Sequence, residues 1–238
     1  MPSYNIADLK VNINYRYDFA EKRSEEYLIP DTDEPDFTIE STDEDFQTFI
    51  DWFKRDDCLN EFEYVIVGDK FHREVMKYDG LMFHSSCVVV DDMAYLFSAD
   101  SGTGKSTHTA LWLKLFGDRA YILNDDKPVI RIIDGQAYVY GTPFSGKTDL
   151  NHNRKVKIGG ICFLSRGEKN EIKKISVKDA LPLFMKQTFN RVDMQELETL
   201  LMVLDKVLSQ VNTYSLSCNM DIEAAKVSYK GMSGKEAK

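Results

Sequence analysis

The run Ser98-Ala-Asp-Ser-Gly-Thr-Gly-Lys-Ser-Thr107 carries the residue types of a phosphate-binding loop. Gly104, Lys105 and Ser106 supply the Gly-Lys-Ser ending of the Walker A pattern, and Ala99 stands where that pattern usually has its first glycine. In a P-loop of this kind, backbone N–H groups surround phosphate oxygens and the helix that follows points its positive end at them. The expected contacts come from Ser101, Gly102, Thr103, Gly104, Lys105, Ser106 and Thr107. Lys105 reaches the outer phosphates, and the Ser106 hydroxyl ligates Mg²⁺. The implied cofactors are ATP, or another nucleoside triphosphate, and Mg²⁺. The alternative is an ordinary glycine-rich turn.

Asp125 and Asp126 close the next strand-like run, Ala120-Tyr-Ile-Leu-Asn124. An acid at a strand end near the loop is where a second magnesium contact is needed. Two adjacent acids divide the work, one holding metal and the other taking the proton of an attacking hydroxyl. Residue types do not say which does which, and Asn-Asp-Asp ahead of Lys127-Pro128 also reads as a plain turn. Arg166 follows a strand spanning 158–165, an end where it meets nucleotide or acceptor. Lys147 and Arg154, in a polar stretch 142–157 read as a mobile loop over the site, are either phosphate clamps or solvated surface charge.

The elements that must position these residues follow from pattern. Met93–Ser98 is a short apolar strand, and Thr107–Phe116 is a helix closed by Gly117, so the loop lies between strand and helix. Residues 83–90 and 93–98 form a hairpin about Asp91-Asp92, with His84, Ser86, Val88 and Val90 on one face. Residues 129–133 and 137–140 form another about Asp134-Gly135, so the sheet is mixed.

Taken together, these segments resemble the HPr kinase/phosphorylase and ATP-type phosphoenolpyruvate carboxykinase superfamily. The likeness rests on Ser101–Ser106 followed by the strand ending in Asp125-Asp126. It extends to Met82–Val90, where His84 precedes Lys105 by 21 residues, and to Gly141–Phe144 and Val156–Leu164. The resemblance implies an α/β fold: a mixed-sheet P-loop core with a small N-terminal α+β lobe and C-terminal helices. It implies Lys105 on phosphate, Ser106 on Mg²⁺, Asp125 and Asp126 sharing metal and base roles, and His84 near the reacting phosphate. Read from pattern alone, His84 is equally a hydrogen-bonded strand histidine of the core. No Glu-Ile-Arg-Gly-Leu-Gly-Ile segment is present, and the chain is too short for a carboxykinase. What the resemblance implies is a kinase transferring the γ-phosphoryl group to a hydroxyl, on a serine of a peptide or protein or on a small metabolite. The alternatives are a nucleotide-sensing module without transfer, or a phosphatase or phosphorylase.

Length and an apolar fraction of 43% suit a single core plus a small lobe, divided as 1–80, 81–220 and a tail 221–238. The net charge of −9 disfavours nucleic acid and anionic membrane as partners. With no apolar span and no leader pattern, a cytoplasmic protein is expected. Oligomeric state is left open. Cys58, Cys87, Cys162 and Cys218 make no Cys-x-x-Cys pair, and His72, His84, His108 and His152 make no metal-ligand spacing. His108 reads as a surface residue. In the N-terminal part, residues 4–17 form a hairpin, 21–36 an exposed loop and 37–40 a strand. A capping box from Ser41 to Glu44 opens a helix whose Phe46, Phe49, Ile50 and Phe53 form a core stripe. Helices are further expected over 62–77, 180–190 and 194–211, and a strand over 213–217.

Overall fold

The computed structural model describes residues 1–188 and 193–237. The chain starts as a hairpin, β1 (Ser3–Ile6) and β2 (Leu9–Asn14), then α1 (Asp18–Arg23), a 3-10 turn, the two-residue β3 (Leu28–Ile29) and β4 (Phe37–Glu40). These strands form a four-stranded sheet in the order β3-β1-β2-β4. Its turn residues Ala7 and Asp8 both have positive φ, 57° and 58°, the geometry that lets a two-residue turn follow the strand twist. Next come α2 (Asp43–Phe53) and α3 (Leu59–Met76).

The second sheet is built from β5 (Gly80–Met82), β6 (Ser86–Val90) and β7 (Met93–Ser98); then, after α4 (Lys105–Phe116), β8 (Ala120–Asn124), β9 (Val129–Ile133), β10 (Gln136–Tyr140), β11 (Lys155–Arg166) and β12 (Glu171–Lys174). Helices α5 (Val177–Thr188) and α6 (Met194–Gln210), strand β13 (Thr213–Cys218) and α7 (Ile222–Ser233) complete the chain. The strand order is β5-β9-β10-β11-β7-β6-β8, with β13 paired to β11 and β12 at its outer edge. Strands β7 and β13 run parallel to β11, whereas β6 is antiparallel to both β7 and β8. Hence β7, β8, β11 and β13 all end at one edge, where ligands collect in open α/β sheets.

The alternation in β6 feeds two cores. Cys87 and Val89 join the cluster under α5 and α6, while Val88 and Val90 join the cluster under α4 and α7. A third core fastens the N-terminal sheet through Val67, Phe71 and Val75 of α3 to Val129, Tyr140 and Phe144. Helix α3 runs unbroken past Gly68, where a Cβ would sit 3.1 Å from the Phe144 ring, so the glycine lets the two pack closely. No helix among the described residues is long and apolar enough to cross a membrane.

Several expectations are corrected. Residues 221–238, expected as a tail, hold α7, because Ala224, Ala225, Tyr229 and Met232 recur at helical spacing and bury against the sheet. Residues 21–36 are not simply a loop: Tyr27 is fully buried and its hydroxyl donates to Asn151 Oδ1 at 2.7 Å. The cap of α2 is Thr42 with Asp45, one residue beyond the expected pair, since the Ser41 hydroxyl instead donates to buried Glu63. The stripe on α2 is core only at Phe46; Phe53 is 60% exposed. His84 lies between β5 and β6, outside either strand. His108 is buried against Phe97 and Trp112. Strand β12 had no signal in the sequence pattern. The expected helix over 180–190 runs from Val177 to Thr188, and its positions 189–190 lie outside the described residues.

Candidate functional site

The strand, turn and helix around Lys105 form as their residue types require. Gly102 and Gly104 have φ of +75° and +121°, and a Cβ at either would meet almost nothing, so conformation and not space calls for glycine there. The loop is pinned by the Thr103 N–H donating to Asp100 O at 3.1 Å. Lys105 is the first residue of α4, and its ammonium turns back to Ala99 O at 3.3 Å. Burial lowers the Lys105 pKa, against the opposing fields of Asp126, Asp125 and Asp100. Lys105 thus lies within electrostatic reach of both adjacent acids of the β8 end. Ser101, Ser106 and Thr107 are exposed on the loop and the first turn of α4.

The two acids have different surroundings. Asp125 is 9% exposed, and both its oxygens already accept hydroxyl bonds, from Ser86 at 2.5 Å and from Thr148 at 3.0 Å. Asp126 stays partly open to solvent, and its Oδ1 lies 3.3 Å from His84 Nε2. Asn124 shapes this corner: its Oδ1 accepts from the N–H groups of Asp126 and Lys127, and its amide donates to Thr142. Gln187 of α5 connects the acids to the loop. Its Nε2 donates to Asp100, so its Oε1 is the acceptor for His84 Nδ1 at 3.0 Å. His84 thus lies between Gln187 Oε1 on its Nδ1 side and Asp126 Oδ1 on its Nε2 side.

Arg166, at the end of β11, binds the loop itself. Its guanidinium donates to Gly102 O at 2.5 Å and Thr103 O at 3.4 Å. Lys186 holds the opposite side through Asp100 at 2.6 Å. The stretch 142–154 is anchored, not mobile. Phe144 is buried, the Lys127 N–H donates to Phe144 O at 3.1 Å, and Asn151 bridges to Asn124. Arg154 stacks over Tyr121 at 5.5 Å, away from the loop, and Lys147 is exposed.

One cleft opens against the loop and another at the Asp126 corner. One of about 630 Å³ lies between α4 and the ends of β11 and β13, walled by Leu111, Leu164 and Met220 beside Gly104 and Arg166. Its apolar wall and its contact with the loop glycines suit a flat ring attached to a phosphate chain. The other, of about 540 Å³, has His84, Asp126 and Lys127 on its floor and Phe49, Trp52 and Phe53 of α2 on its wall. Among the described residues no cluster of three His, Cys, Asp or Glu side chains builds a metal cage. Magnesium bound with a nucleotide does not need one, since it takes one or two carboxylates and completes its shell with phosphate and water. Asp126 and the exposed Ser106 hydroxyl fit that donor set.

The structure thus brings Lys105, Asp125, Asp126 and His84 to one edge, with Arg166 against the loop. Pattern reading missed the Ser86 and Thr148 hydroxyls on Asp125, and the Gln187 and Lys186 contacts from α5. These are long-range contacts with no local signature. The aromatic wall had a signal, Phe49, Trp52 and Phe53 on one helix, which reads equally as core.

Comparison with protein-family models finds no match, and comparison with curated proteins finds none either. Among solved structures, the chain is similar to the Hpr(Ser) kinase/phosphatase from Coxiella burnetii, at 12% identity and a TM-score of 0.35, over 60% of this chain and 88% of that one.

Proposed function

We propose that this protein is a magnesium- and ATP-dependent kinase that transfers the γ-phosphoryl group to a hydroxyl acceptor, with Asp126 as general base. The observation that carries the reading is the unequal pair at the end of β8. Asp125 is buried with a hydroxyl donor on each oxygen, while Asp126 opens into the cleft on the α2 side, within the field of Lys105. The ring-sized cleft against the loop glycines receives the nucleoside, and the phosphate chain runs along the loop toward Asp126.

In the transfer, the acceptor hydroxyl gives its proton to Asp126, and its oxygen bonds to the γ-phosphorus. The bond from that phosphorus to the β,γ-bridging oxygen breaks and ADP leaves with the electron pair. Lys105 and the loop amides take up charge on the phosphate oxygens as it develops. Ser106 would hold Mg²⁺, which when bound neutralises phosphate charge. His84 positions Asp126 and is itself fixed by Gln187.

Removing a positioned base costs about 10²- to 10⁴-fold in rate. Asp126→Asn is therefore expected to lower transfer of label from γ-labelled ATP by that factor, while calorimetry shows Mg–ATP binding within a few fold of the parent. Unchanged transfer in Asp126→Asn would overturn the assignment.

A further inference from the structure

The corner that holds the two aspartates is itself held from the N-terminal lobe. Residues 146–149 form a turn that touches both acids. The Thr148 hydroxyl donates to Asp125 Oδ2 at 3.0 Å, and a Cβ on Gly146 would lie 2.8 Å from Asp126 Cβ. The cation bonded to this turn comes from α1. Arg23 donates from Nη1 to Gly146 O at 2.5 Å, and its Nε lies 3.6 Å from Asp149 Oδ1. Its guanidinium packs against two rings, 4.6 Å from that of Phe19 and 5.1 Å from that of Tyr64. The Tyr64 hydroxyl accepts from the Gly146 N–H at 3.1 Å, so Arg23 and Tyr64 grip the same peptide unit region from α1 and α3. The Arg23 side chain is 13% exposed.

We propose that Arg23 is a positioning residue for phosphoryl transfer, so that the N-terminal lobe is a working part of the active site. The inference rests on the kinase reading above. Arg23 touches no reacting atom and acts through the turn. A tie that served stability alone needs only to fasten the lobe to the core, and that fastening exists elsewhere. Phe71 and Val75 of α3 pack with Val129, Tyr140 and Phe144, and the Tyr27 hydroxyl reaches Asn151. A largely buried guanidinium is also a poor fastener, because desolvation takes back much of what its bonds supply. What it does supply is geometry. Its planar fork lies against two rings and meets the turn at Gly146 and Asp149, with Thr148 between them. Loss of both contacts frees Gly146 to move from Asp126 and draws the Thr148 hydroxyl from Asp125. Misplacing a reacting group by about 1 Å costs on the order of 10²-fold in rate.

The test uses the full chain and follows release of labelled inorganic phosphate from γ-labelled ATP, with water as the hydroxyl acceptor. Arg23→Ala is expected to lower kcat about ten- to hundredfold, with KM for Mg–ATP changed by less than about threefold. A cleft of about 400 Å³ lined by Phe19, Arg23, Asn60 and Asp149 opens at this position. Guanidinium added at millimolar, non-denaturing concentration can therefore enter the space the variant leaves, and it is expected to raise kcat of Arg23→Ala and not of the parent. Tyr64→Phe keeps the ring and deletes only the hydroxyl that receives the Gly146 N–H. It is expected to lower kcat about three- to tenfold, and the double variant to lose less than the product of the two losses, since both groups hold one turn. The proposal is overturned if kcat per folded molecule, with the folded fraction taken from urea unfolding, is unchanged in Arg23→Ala. It is equally overturned if guanidinium raises the stability of that variant without raising its kcat, or if the losses in the two single variants simply multiply. Failure of the kinase reading shows in the parent alone, as no Mg–ATP binding by calorimetry or no phosphate release, and the positioning role falls with it.

Discussion

Gly146 decides how freely Asp126 can sit in its cleft. The residue has φ of +70°, and a Cβ added there would lie 2.8 Å from Asp126 Cβ and 3.3 Å from its Oδ2. Its N–H donates to the Tyr64 hydroxyl and its carbonyl accepts from Arg23, so the backbone cannot simply slide away. Left-handed geometry costs an L-residue about 1–2 kcal/mol. Gly146→Ala is therefore expected to destabilise the fold by about 2 kcal/mol in urea unfolding. It is also expected to lower kcat at least tenfold by displacing Asp126, with Mg–ATP affinity unchanged. A variant that lost stability alone would detach Gly146 from the site. At this scale the sequence exposed the chemistry but not its division. Two neighbouring aspartates are equivalent on paper. They diverge only when Ser86 and Thr148, 39 and 23 residues away, place hydroxyls on Asp125 and none of those contacts has a local pattern.

The loop is an element held from two sides, by Arg166 at the end of β11 and by Lys186 and Gln187 at the end of α5. Arg166 is exposed, so its charged bonds to Gly102 O and Thr103 O are worth about 1 kcal/mol, well under their buried value. Arg166→Met should lower stability in urea by no more than about 1 kcal/mol and weaken Mg–ATP binding about fivefold by calorimetry, because the loop must then be ordered by the ligand. Equal affinity in the variant would mean that the loop holds its shape unaided. Strands and hairpins of this region were legible because each has its own turn chemistry: Asp91-Asp92 and Asp134-Gly135 all adopt positive φ, and β8 and β9 match their expected bounds. The stretch 142–154 was not. Its polar composition imitates a free loop, whereas Phe144 and Asn151 anchor it through contacts to α3 and β8.

Across the molecule, the two largest corrections have one cause. Reading 221–238 as a tail removed the partner of His108, which then had no reason to be inside. In the fold, Ser228 of α7 meets His108 Nε2 at 3.0 Å and accepts from Trp112 Nε1 at 2.9 Å, so α4, which starts at the phosphate loop, is backed by the C-terminal helix. Burial lowers the His108 pKa from 6.5 to about 4 and, on α3, burial chiefly lowers that of His72 to about 3. In both cases the unfolded chain binds the proton more readily than the native one. Their contribution to stability is therefore full above pH 6.5 and declines as pH falls through the window between 6.5 and the folded values. Between pH 7 and 5 each histidine should cost about 2 kcal/mol, a large part of the stability of a domain this size. His108→Gln keeps a polar group for Ser228 but cannot titrate. Its urea midpoint is expected to be lower than the parent's at pH 7 and to fall distinctly less on going to pH 5, with the same slope of free energy against urea. Parallel pH profiles for parent and variant would show that His108 is not the neutral, buried link between α4 and α7.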